Sequence, residues 1–318
     1  MKVLLLGASG LLGHNVLRCL MDEGHRVVVL VRRADTLRFG GDYALRLGSL
    51  LDYPTLLAAA EGCDAVVNCA GTTDMSLLHY DDYLPVNRDL CSMLARLLDE
   101  TGINTLVHTS TVNTIEGEGE PTALATSWYA ESKREGERLV LAAARKPGRH
   151  IVVVNPGFML GPWDAKPSSG RMLLLGYRRP IMFAPGGGKS FVHVGDVAKA
   201  IVNALTMGDN GGRYVAVNND GSMTIRQLYK LQAETMGYRQ RVVVLPDWLL
   251  AVAGRVGDAL RLFGLRTDVS TSNVRQLMAR EQYRADRAIA DLQMPQTPIV
   301  QAIKDFHQSF FGHIGKSS

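Results

Sequence analysis

The chain has 318 residues, of which 46% are hydrophobic and 21% charged, and its formal net charge is +4. These values describe a globular chain with room for one large domain or two modest ones. Because the charge is spread without a long basic run, nucleic-acid binding has little support. The four cysteines lack metal-ligand spacing, and no stretch reaches the length of a transmembrane helix. We therefore expect a cytoplasmic protein with reduced thiols, no metal site and a small-molecule substrate.

The N-terminal segment has the pattern of a strand, a glycine turn and a helix. Lys2–Leu6 is too short for a helix and suits a strand that is buried on both faces. The turn after it needs residues without a Cβ if phosphate is to approach the backbone, and free N–H groups of the helix over 10–21 face that anion. The pattern predicts a dinucleotide pyrophosphate site at Gly7, Ser9, Gly10, Leu11, Leu12 and Gly13. The alternative is an ordinary turn whose glycines serve packing.

The second strand, Arg26–Val31, ends where a dinucleotide fold contacts the adenosine ribose. An acidic residue at this point bonds the ribose 2′-hydroxyl, whereas an arginine favours a 2′-phosphate. The chain has Arg32 and Arg33 here and no acid before Asp35. We therefore predict NADP(H) as the preferred cofactor. NAD(H) is the alternative if both arginines only face water.

Strand and helix patterns then alternate to about residue 157. The predicted strands are 43–47, 64–69, 104–109 and 150–154, and the predicted helices are 53–60, 81–100 and 127–145. This alternation predicts the α/β class: a Rossmann-type, doubly wound parallel sheet with helices on both faces. Ligands in such folds bind at the carboxyl ends of the strands.

Prolines and glycines interrupt the pattern over 158–190, where we expect loops and short helices. A helix over 195–207 and a seventh strand over 213–217 return the chain to the sheet. Beyond 221 helices dominate, at 224–236, 246–263 and 298–310. We predict a dinucleotide-binding Rossmann domain from 1–157 and 191–220, and a smaller, mostly helical C-terminal substrate-binding region from 158–190 and 221–318.

The predicted helix over 246–263 is unusually apolar. Such a helix can cover the substrate pocket or pack on a partner subunit. A second interpretation is a surface helix that contacts the membrane interface.

Tyr129 and Lys133 are candidates for proton transfer. They lie four residues apart, on one face of the predicted helix over 127–145. A lysine ammonium beside a tyrosine favours the phenolate and lowers the phenol pKa, which suits the pair to acid-base catalysis. Thr111 follows the fifth strand at the ligand-binding edge, where its hydroxyl can hold a carbonyl oxygen beside the phenol. The alternative for the pair alone is an exposed aromatic-cation contact.

The sequence resembles the extended short-chain dehydrogenase/reductase family, which is an NAD(P)-dependent, epimerase/dehydratase-like family. The resemblance covers nearly the whole chain. Its motifs are Gly7-x-x-Gly10-x-x-Gly13, Asn68-Cys69-Ala70-Gly71, Val86-Asn87, Thr109-Ser110-Thr111, Tyr129-x-x-x-Lys133, Asn155-Pro156-Gly157 and Phe191-Val192-His193-Val194-x-Asp196-Val197-Ala198.

The resemblance implies roles for these residues in an oxidoreductase. Tyr129 would be the general acid/base, Lys133 would lower its pKa and bind the nicotinamide ribose, and Thr111 would orient the substrate oxygen. It also implies a homodimer, as in many family members. The other cofactor positions that it implies are Leu50, Cys69, Ala70, Gly71, Asn87, Thr109, Pro156 and Gly157.

Departures from the family pattern distinguish the subfamilies. Nucleotide-sugar epimerases often carry an arginine before the Pro-Gly pair, where this chain has Asn155. Asn155-Pro156 and the segment 190–194 resemble dihydroflavonol reductases and 3β-hydroxysteroid dehydrogenases instead. We therefore predict hydride transfer between NADP(H) and a hydroxyl- or carbonyl-bearing carbon. The first alternative is an NAD-retaining nucleotide-sugar epimerase, and the second is a non-catalytic dinucleotide-binding sensor or assembly protein.

Overall fold

The structure is a computed structural model that describes residues 1–37, 40–74, 76–115, 127–164, 168–265, 267, 269–280 and 282–314. The strands in chain order are β1 (Lys2–Leu6), β2 (Arg26–Val31), β3 (Tyr43–Leu47), β4 (Ala65–Asn68), β5 (Thr105–Thr109), β6 (His150–Pro156), β7 (Phe158–Leu160), β8 (Ile181–Ala184), β9 (Gly188–His193), β10 (Arg213–Ala216), β11 (Ser222–Thr224) and β12 (Arg241–Val244).

The α-helices follow the same numbering along the chain. They are α1 (Leu11–Asp22), α2 (Tyr53–Ala60), α3 (Leu90–Thr101), α4 (Trp128–Ala143), α5 (Gly170–Gly176), α6 (Val194–Asn203), α7 (Ile225–Thr235), α8 (Asp247–Leu262), α9 (Thr271–Met278), α10 (Asp286–Leu292) and α11 (Ile299–Ile314).

Seven strands form one parallel sheet in the order β10-β6-β5-β4-β1-β2-β3. From β1 the chain first moves to β2 and β3 on one side and then returns to β4 on the other. This reversal places a crevice between β1 and β4 at the carboxyl edge of the sheet. The register is level there, because Leu6 pairs with both Leu30 and Asn68. The predicted Rossmann-type sheet is confirmed.

Apolar side chains cover both faces of this sheet, as expected for strands buried between two helical layers. One core cluster joins β1 and β2 to α1 and α6, and a second joins them to α2, α3 and part of α4. A third cluster lies apart from the sheet and links Leu160, Leu173, Phe191, Leu228 and Phe306. The division into two domains stays a prediction. A second domain would need a core of its own, and this third cluster is a separate core.

Two predictions of local structure were wrong in detail. The segment 158–190 was expected to hold loops and short helices, but besides α5 it holds strands β7, β8 and the first half of β9. β9 pairs with β7 and β11 in a small sheet, and β8 pairs with β12. Strands of three to six residues are too short to show a hydrophobic period among so many glycines and prolines.

The predicted helix over 81–100 is interrupted. Tyr80–Asp82 forms a 3₁₀ turn and Pro85–Asp89 a π-helical turn, and the regular α-helix begins only at Leu90. Pro85 lacks a backbone donor and stands at the start of the wide turn. A π-helical turn often marks a functional position in a helix, and this one contains Asn87. In the described part of the chain, no helix has the length and apolar character needed to cross a membrane.

Candidate active site

The glycine turn after β1 has the geometry that the sequence predicted. Gly7 has φ +79°, and a Cβ at this position would lie 2.5 Å from the backbone nitrogen of Ala70. A Cβ on Gly13 would lie 2.0 Å from the carbonyl oxygen of Gly7. Both glycines are therefore required by close approaches of the backbone to itself.

Gly10 differs from these two glycines because the protein itself leaves space beside it. Its φ is −86°, and a Cβ there would meet only the Gly7 carbonyl, at 3.5 Å. Ser9 and Gly10 are exposed, and α1 begins at Leu11 without a side-chain cap. The first turn of a helix carries unpaired N–H groups. An open, uncapped helix start at the switch point of the sheet fits the pyrophosphate of a dinucleotide.

The two arginines at the end of β2 have different surroundings. Both are exposed. Arg33 Nε donates to Asp35 Oδ1 at 3.0 Å, and a second nitrogen of the same guanidinium contacts Asp35 Oδ2. Arg32 has no side-chain contact with an acid among the ion pairs of the described residues. Of the two, Arg32 is therefore the better placed to meet a ribose 2′-phosphate.

The segment after β4 lines the other side of the crevice. Ala70 is buried against Gly7, and Gly71 is exposed at the edge. Thr109 Oγ1 lies 3.7 Å from Cys69 Sγ, and burial raises the pKa of the Cys69 thiol to about 12. Cys69 is therefore a neutral, unreactive wall of the crevice. Leu50 is half-buried and packs against the second core cluster.

Tyr129 and Thr111 meet at the carboxyl edge of the sheet. Tyr129 lies in the first turn of α4, which Ser127 caps by accepting a hydrogen bond from the Ala130 N–H at 3.1 Å. Burial raises the pKa of the Tyr129 phenol to about 12, although a hydrogen bond with Thr111 acts in the opposite direction. The lowering of the Tyr129 pKa by Lys133 stays a prediction, because in this structure burial outweighs the hydrogen bond with Thr111 and Lys133 is not among the causes of the shift.

Lys133 is buried one turn further along α4, with 3% of its surface exposed. Its Nζ donates to the backbone carbonyl of Thr109 at 2.6 Å. A Cβ on Gly71 would lie 3.8 Å from the same nitrogen. The ammonium thus stands between the ends of β4 and β5 and beside the phenol-bearing turn. Burial lowers the pKa of Lys133, while Cys91 and Glu137 oppose that shift.

Asn87 joins the crevice to the helix that carries Tyr129. Its Oδ1 accepts from the Thr72 N–H at 2.9 Å, and its Nδ2 donates to the Thr72 carbonyl at 3.1 Å and to Ser132 Oγ at 2.9 Å. Ser132 Oγ in turn donates to the Tyr129 carbonyl at 2.8 Å. Asn87 is 1% exposed. In this structure it acts on the site by holding the Thr72 loop and α4 together.

The packing of α4 against the π-helical turn that contains Asn87 depends on Gly136. A Cβ on Gly136 would lie 1.9 Å from the Asn87 carbonyl oxygen and 2.9 Å from Cys91 Sγ. We predict that Gly136→Ala lowers the free energy of unfolding by about 1–3 kcal/mol, because α4 must move away from the π-helical turn. Urea unfolding measures this change.

Gly312→Ala is the matched control, since Gly312 also lies in a helix but a Cβ there would meet nothing within 4 Å. This control should raise the free energy of unfolding by roughly 0.5–1 kcal/mol. Equal stability of Gly136→Ala and the wild type would contradict the close contact.

A buried polar network behind Thr111 was missed by the sequence interpretation. Glu137 Oε2 accepts from Asn155 Nδ2 at 3.0 Å and from Thr114 Oγ1 at 2.7 Å, and Glu137 Oε1 pairs with Arg213 Nε at 2.5 Å. Asn155 Nδ2 also contacts the Thr111 carbonyl at 3.2 Å. Glu137 falls four residues after Lys133, so its place on the same helix face was visible in the sequence. Its partners come from other elements of the fold, so the sequence did not reveal them.

Pro156 and Gly157 come directly after Asn155, a member of this network, at the end of β6. Pro156 is buried, and the Gly157 N–H donates to the Ala216 carbonyl at 3.0 Å. A Cβ on Gly157 would lie 2.4 Å from the Ser190 carbonyl oxygen. The structure thus gathers the predicted residues along one edge of the sheet, from Gly157 to the glycine turn, with Arg32 and Arg33 at the far end.

Comparisons with known proteins agree with this arrangement. Residues 3–218 match the model of the NAD dependent epimerase/dehydratase family. A Synechocystis sp. protein, provisionally named dihydroflavonol 4-reductase, is 28% identical over 336 residues, which cover 96% of this chain and 94% of that protein. Sterol demethylase protein B of Methylococcus capsulatus is 28% identical over 84% of this chain and 85% of its own length.

The fold also matches solved structures. The crystal structure of gox2253 superposes with a TM-score of 0.81 and 25% sequence identity, and the match covers 98% of both chains. The extended sheet and the C-terminal region are both included in this overlap.

Proposed function

The chain belongs to the NAD-dependent epimerase/dehydratase family, and from this premise we propose an NADP(H)-dependent oxidoreductase with Tyr129 as its general acid/base. The substrate carries a hydroxyl or carbonyl group on the carbon that exchanges hydride. One observation carries the proposal: the Tyr129 phenol is hydrogen-bonded to Thr111 at the carboxyl edge of the sheet, and the Lys133 ammonium, one turn further along α4, donates to the Thr109 carbonyl at the same edge.

Each residue of the site has a separate role in such a reaction. A bound dihydronicotinamide supplies the hydride. Thr111 holds the substrate oxygen, and Tyr129 donates a proton to that oxygen as the carbonyl carbon is reduced. Lys133 binds the nicotinamide ribose and places a positive charge at the point where the phenol loses its proton. Asn87 and Ser132 hold the turn of α4 that carries the phenol.

The test of this proposal starts from the purified protein. We expect NADPH to bind and exchange freely, and to be oxidised in the presence of suitable ketones or aldehydes, as followed by the loss of reduced-nucleotide absorbance. Failure to bind either NADPH or NADH would contradict the dinucleotide site itself. Binding without turnover of any carbonyl compound would instead favour the non-catalytic alternative.

The pKa of Tyr129 predicts opposite pH dependences for the two directions of reaction. Because burial raises this pKa to about 12, the phenol stays protonated near neutrality. Reduction needs the protonated phenol, so kcat/KM for a ketone should stay constant from about pH 6 to 9 and fall only as pH rises towards the pKa. Oxidation of the alcohol needs the phenolate, so its kcat/KM should rise about tenfold per pH unit over this range. Initial rates in both directions measure this, and a falling oxidation rate would contradict the assignment.

The preference for NADP(H) rests on Arg32. We predict that Arg32→Ala raises KM for NADPH about tenfold, the effect of losing one charge-assisted hydrogen bond, and leaves KM for NADH unchanged. Arg33→Ala is the matched control and should have a smaller effect, because its guanidinium already pairs with Asp35. An unchanged ratio of NADPH to NADH KM in Arg32→Ala would contradict the role of Arg32 at the 2′-phosphate.

Substrate size and polarity are also part of the proposal. The two relatives described above carry the names of a dihydroflavonol reductase and a sterol demethylase protein. Dihydroflavonols and sterols are ring systems of medium size with large apolar surfaces. We therefore infer a ketone or secondary alcohol on an apolar, medium-sized molecule as the first class to test.

An NAD-retaining epimerase is the second candidate, because the family itself includes epimerases. The position where epimerases often carry an arginine is Asn155 here, and this side chain is fully buried and turned towards Glu137 and Thr114. It therefore offers no cation to a nucleotide diphosphate. NAD that copurifies and resists exchange would favour the epimerase over the reductase.

A further inference from the structure

Helix α8 presents an apolar stripe that the described part of the protein leaves uncovered. Its members are Trp248, Leu249, Val252, Val256, Leu260 and Phe263, each at least 39% exposed. At 3.6 residues per turn, these six positions fall within about 120° of the helix circumference. Trp248 and Phe263, at opposite ends of the stripe, are 68% and 83% exposed. Single exposed apolar residues are ordinary on a surface, but a continuous stripe of this kind marks an interaction site.

The opposite side of α8 is what attaches it to the protein. Gly254 and Gly257 are its buried residues, and a Cβ on Gly257 would lie 1.9 Å from the Val269 carbonyl oxygen. Asp258 accepts from the Thr271 N–H at 3.1 Å on this same side. The helix is thus held by its glycine face, against the segment that leads into α9. That attachment directs the apolar stripe away from the fold.

The charge of this region favours an anionic partner. The segment 239–280 contains no lysine or glutamate, and its seven arginines and three aspartates give it a net charge of +4. The whole chain also has a net charge of +4, so the remainder is balanced. Arg255 on α8 and Arg275 on α9 are exposed. One of the aspartates, Asp258, accepts a hydrogen bond from the Thr271 N–H at the start of α9.

Arg261, on the attached side of α8, interacts electrostatically with a residue near the candidate active site. Burial raises the pKa of the Tyr83 phenol to about 12, and the guanidinium of Arg261, in the last turn of α8, acts against that shift. Tyr83 in turn interacts electrostatically with Tyr129. Electrostatic interactions thus link the last turn of α8 to Tyr83 and Tyr83 to Tyr129.

We propose that the apolar stripe of α8 docks the protein on a membrane surface that contains anionic lipid. Amphipathic helices of this type lie in the plane of the interface, with their apolar face among the acyl chains and basic residues at the head groups. Tryptophan and phenylalanine at the ends of the stripe suit the interfacial zone. Docking of this kind does not require a helix that crosses the bilayer.

Vesicle flotation of the full-length protein tests the proposal. We expect binding to vesicles of phosphatidylcholine with phosphatidylglycerol, weaker binding to phosphatidylcholine alone, and loss of binding at high salt. The double variant Trp248→Ser with Phe263→Ser should lower the partition coefficient at least about tenfold, because two large, exposed apolar side chains of the stripe are removed. Leu47→Ser is the matched control, since Leu47 is 61% exposed on β3, and it should bind like the wild type.

A second pair of variants tests the charge. Arg255→Glu with Arg275→Glu should weaken binding to anionic vesicles, whereas Arg138→Glu with Arg145→Glu, which changes two exposed arginines at α4, should not. Thermal melting of every variant shows that the fold is retained. No vesicle binding by the wild type, or equal binding by the Trp248/Phe263 variant, would overturn the proposal. It would also be overturned if α8 variants abolished a dimer of the wild type and vesicles had no effect, because the stripe would then be an interface between two copies.

Discussion

Replacing Tyr129 by phenylalanine is expected to lower kcat for ketone reduction by at least about 100-fold, the usual contribution of a positioned general acid. The change removes one hydroxyl oxygen and keeps the ring that packs at the start of α4. Among the described residues, the contact that the phenol loses is the hydrogen bond with Thr111. The dissociation constant of NADPH should therefore change by less than about threefold. Steady-state kinetics and fluorescence titration with NADPH measure the two effects separately.

The matched control is Tyr53→Phe. Tyr53 also donates its hydroxyl to a side chain, the carboxylate of Glu100 at 2.9 Å, but it lies on α2 away from the crevice. This variant should keep wild-type kcat. If Tyr129→Phe also kept a kcat within about threefold of the wild type, Tyr129 would not be the proton donor.

Replacing Lys133 by methionine is expected to have the second largest effect. Methionine fills a similar volume but removes the buried ammonium that donates to the Thr109 carbonyl at 2.6 Å. We expect KM for NADPH to rise about tenfold and kcat to fall about 100-fold, because the same group binds the ribose and stabilises the phenolate. Steady-state kinetics with varied NADPH separate the two parameters. A purely structural lysine would instead lower thermal stability and leave KM of the remaining folded protein unchanged.

Lys146→Met provides the comparison for this variant. Lys146 is 56% exposed and pairs with Asp99 on the surface, so its loss should change neither parameter and should cost little stability. Wild-type values of both KM and kcat in Lys133→Met would contradict the proposed role of Lys133 in ribose binding and proton transfer.

The parts of the site that were predictable are those with local physical requirements. Gly7 must adopt a positive φ, and Gly13 must approach the Gly7 carbonyl, so a strand followed by these glycines indicates the turn before any contact is known. The parallel arrangement of the strands also followed from alternation, since parallel strands need helical crossovers. The turn and the parallel strands together indicated a ligand site at the carboxyl edge of the sheet.

Other features depend on contacts between distant elements and were not predictable in the same way. The network of Glu137, Asn155 and Arg213 joins α4, β6 and β10. The direction of the Tyr129 pKa shift depends on how deeply the phenol is buried, which four-residue spacing to Lys133 does not reveal. The small sheets of the region 158–190 form only after their short strands find partners across the chain.

The pairing of Arg33 with Asp35 is an intermediate case. The two residues are close in sequence, and an ion pair between them was open to prediction. It matters because it leaves Arg32 as the main candidate for the 2′-phosphate. The apolar character of α8 was also visible in the sequence, but which of its faces is attached depends on Gly254 and Gly257 in the folded protein.

The most direct test of the central claim follows the hydride itself. The wild-type protein is incubated with an apolar ketone and with NADPH that is deuterated at the transferable position of C4. Mass spectrometry then measures the deuterium content of the product. We expect an alcohol that carries one deuterium for each NADPH oxidised, and we expect Tyr129→Phe to form almost none of this alcohol. A product without deuterium, formed with no net consumption of NADPH, would contradict the reductase and identify an enzyme that retains its own nucleotide.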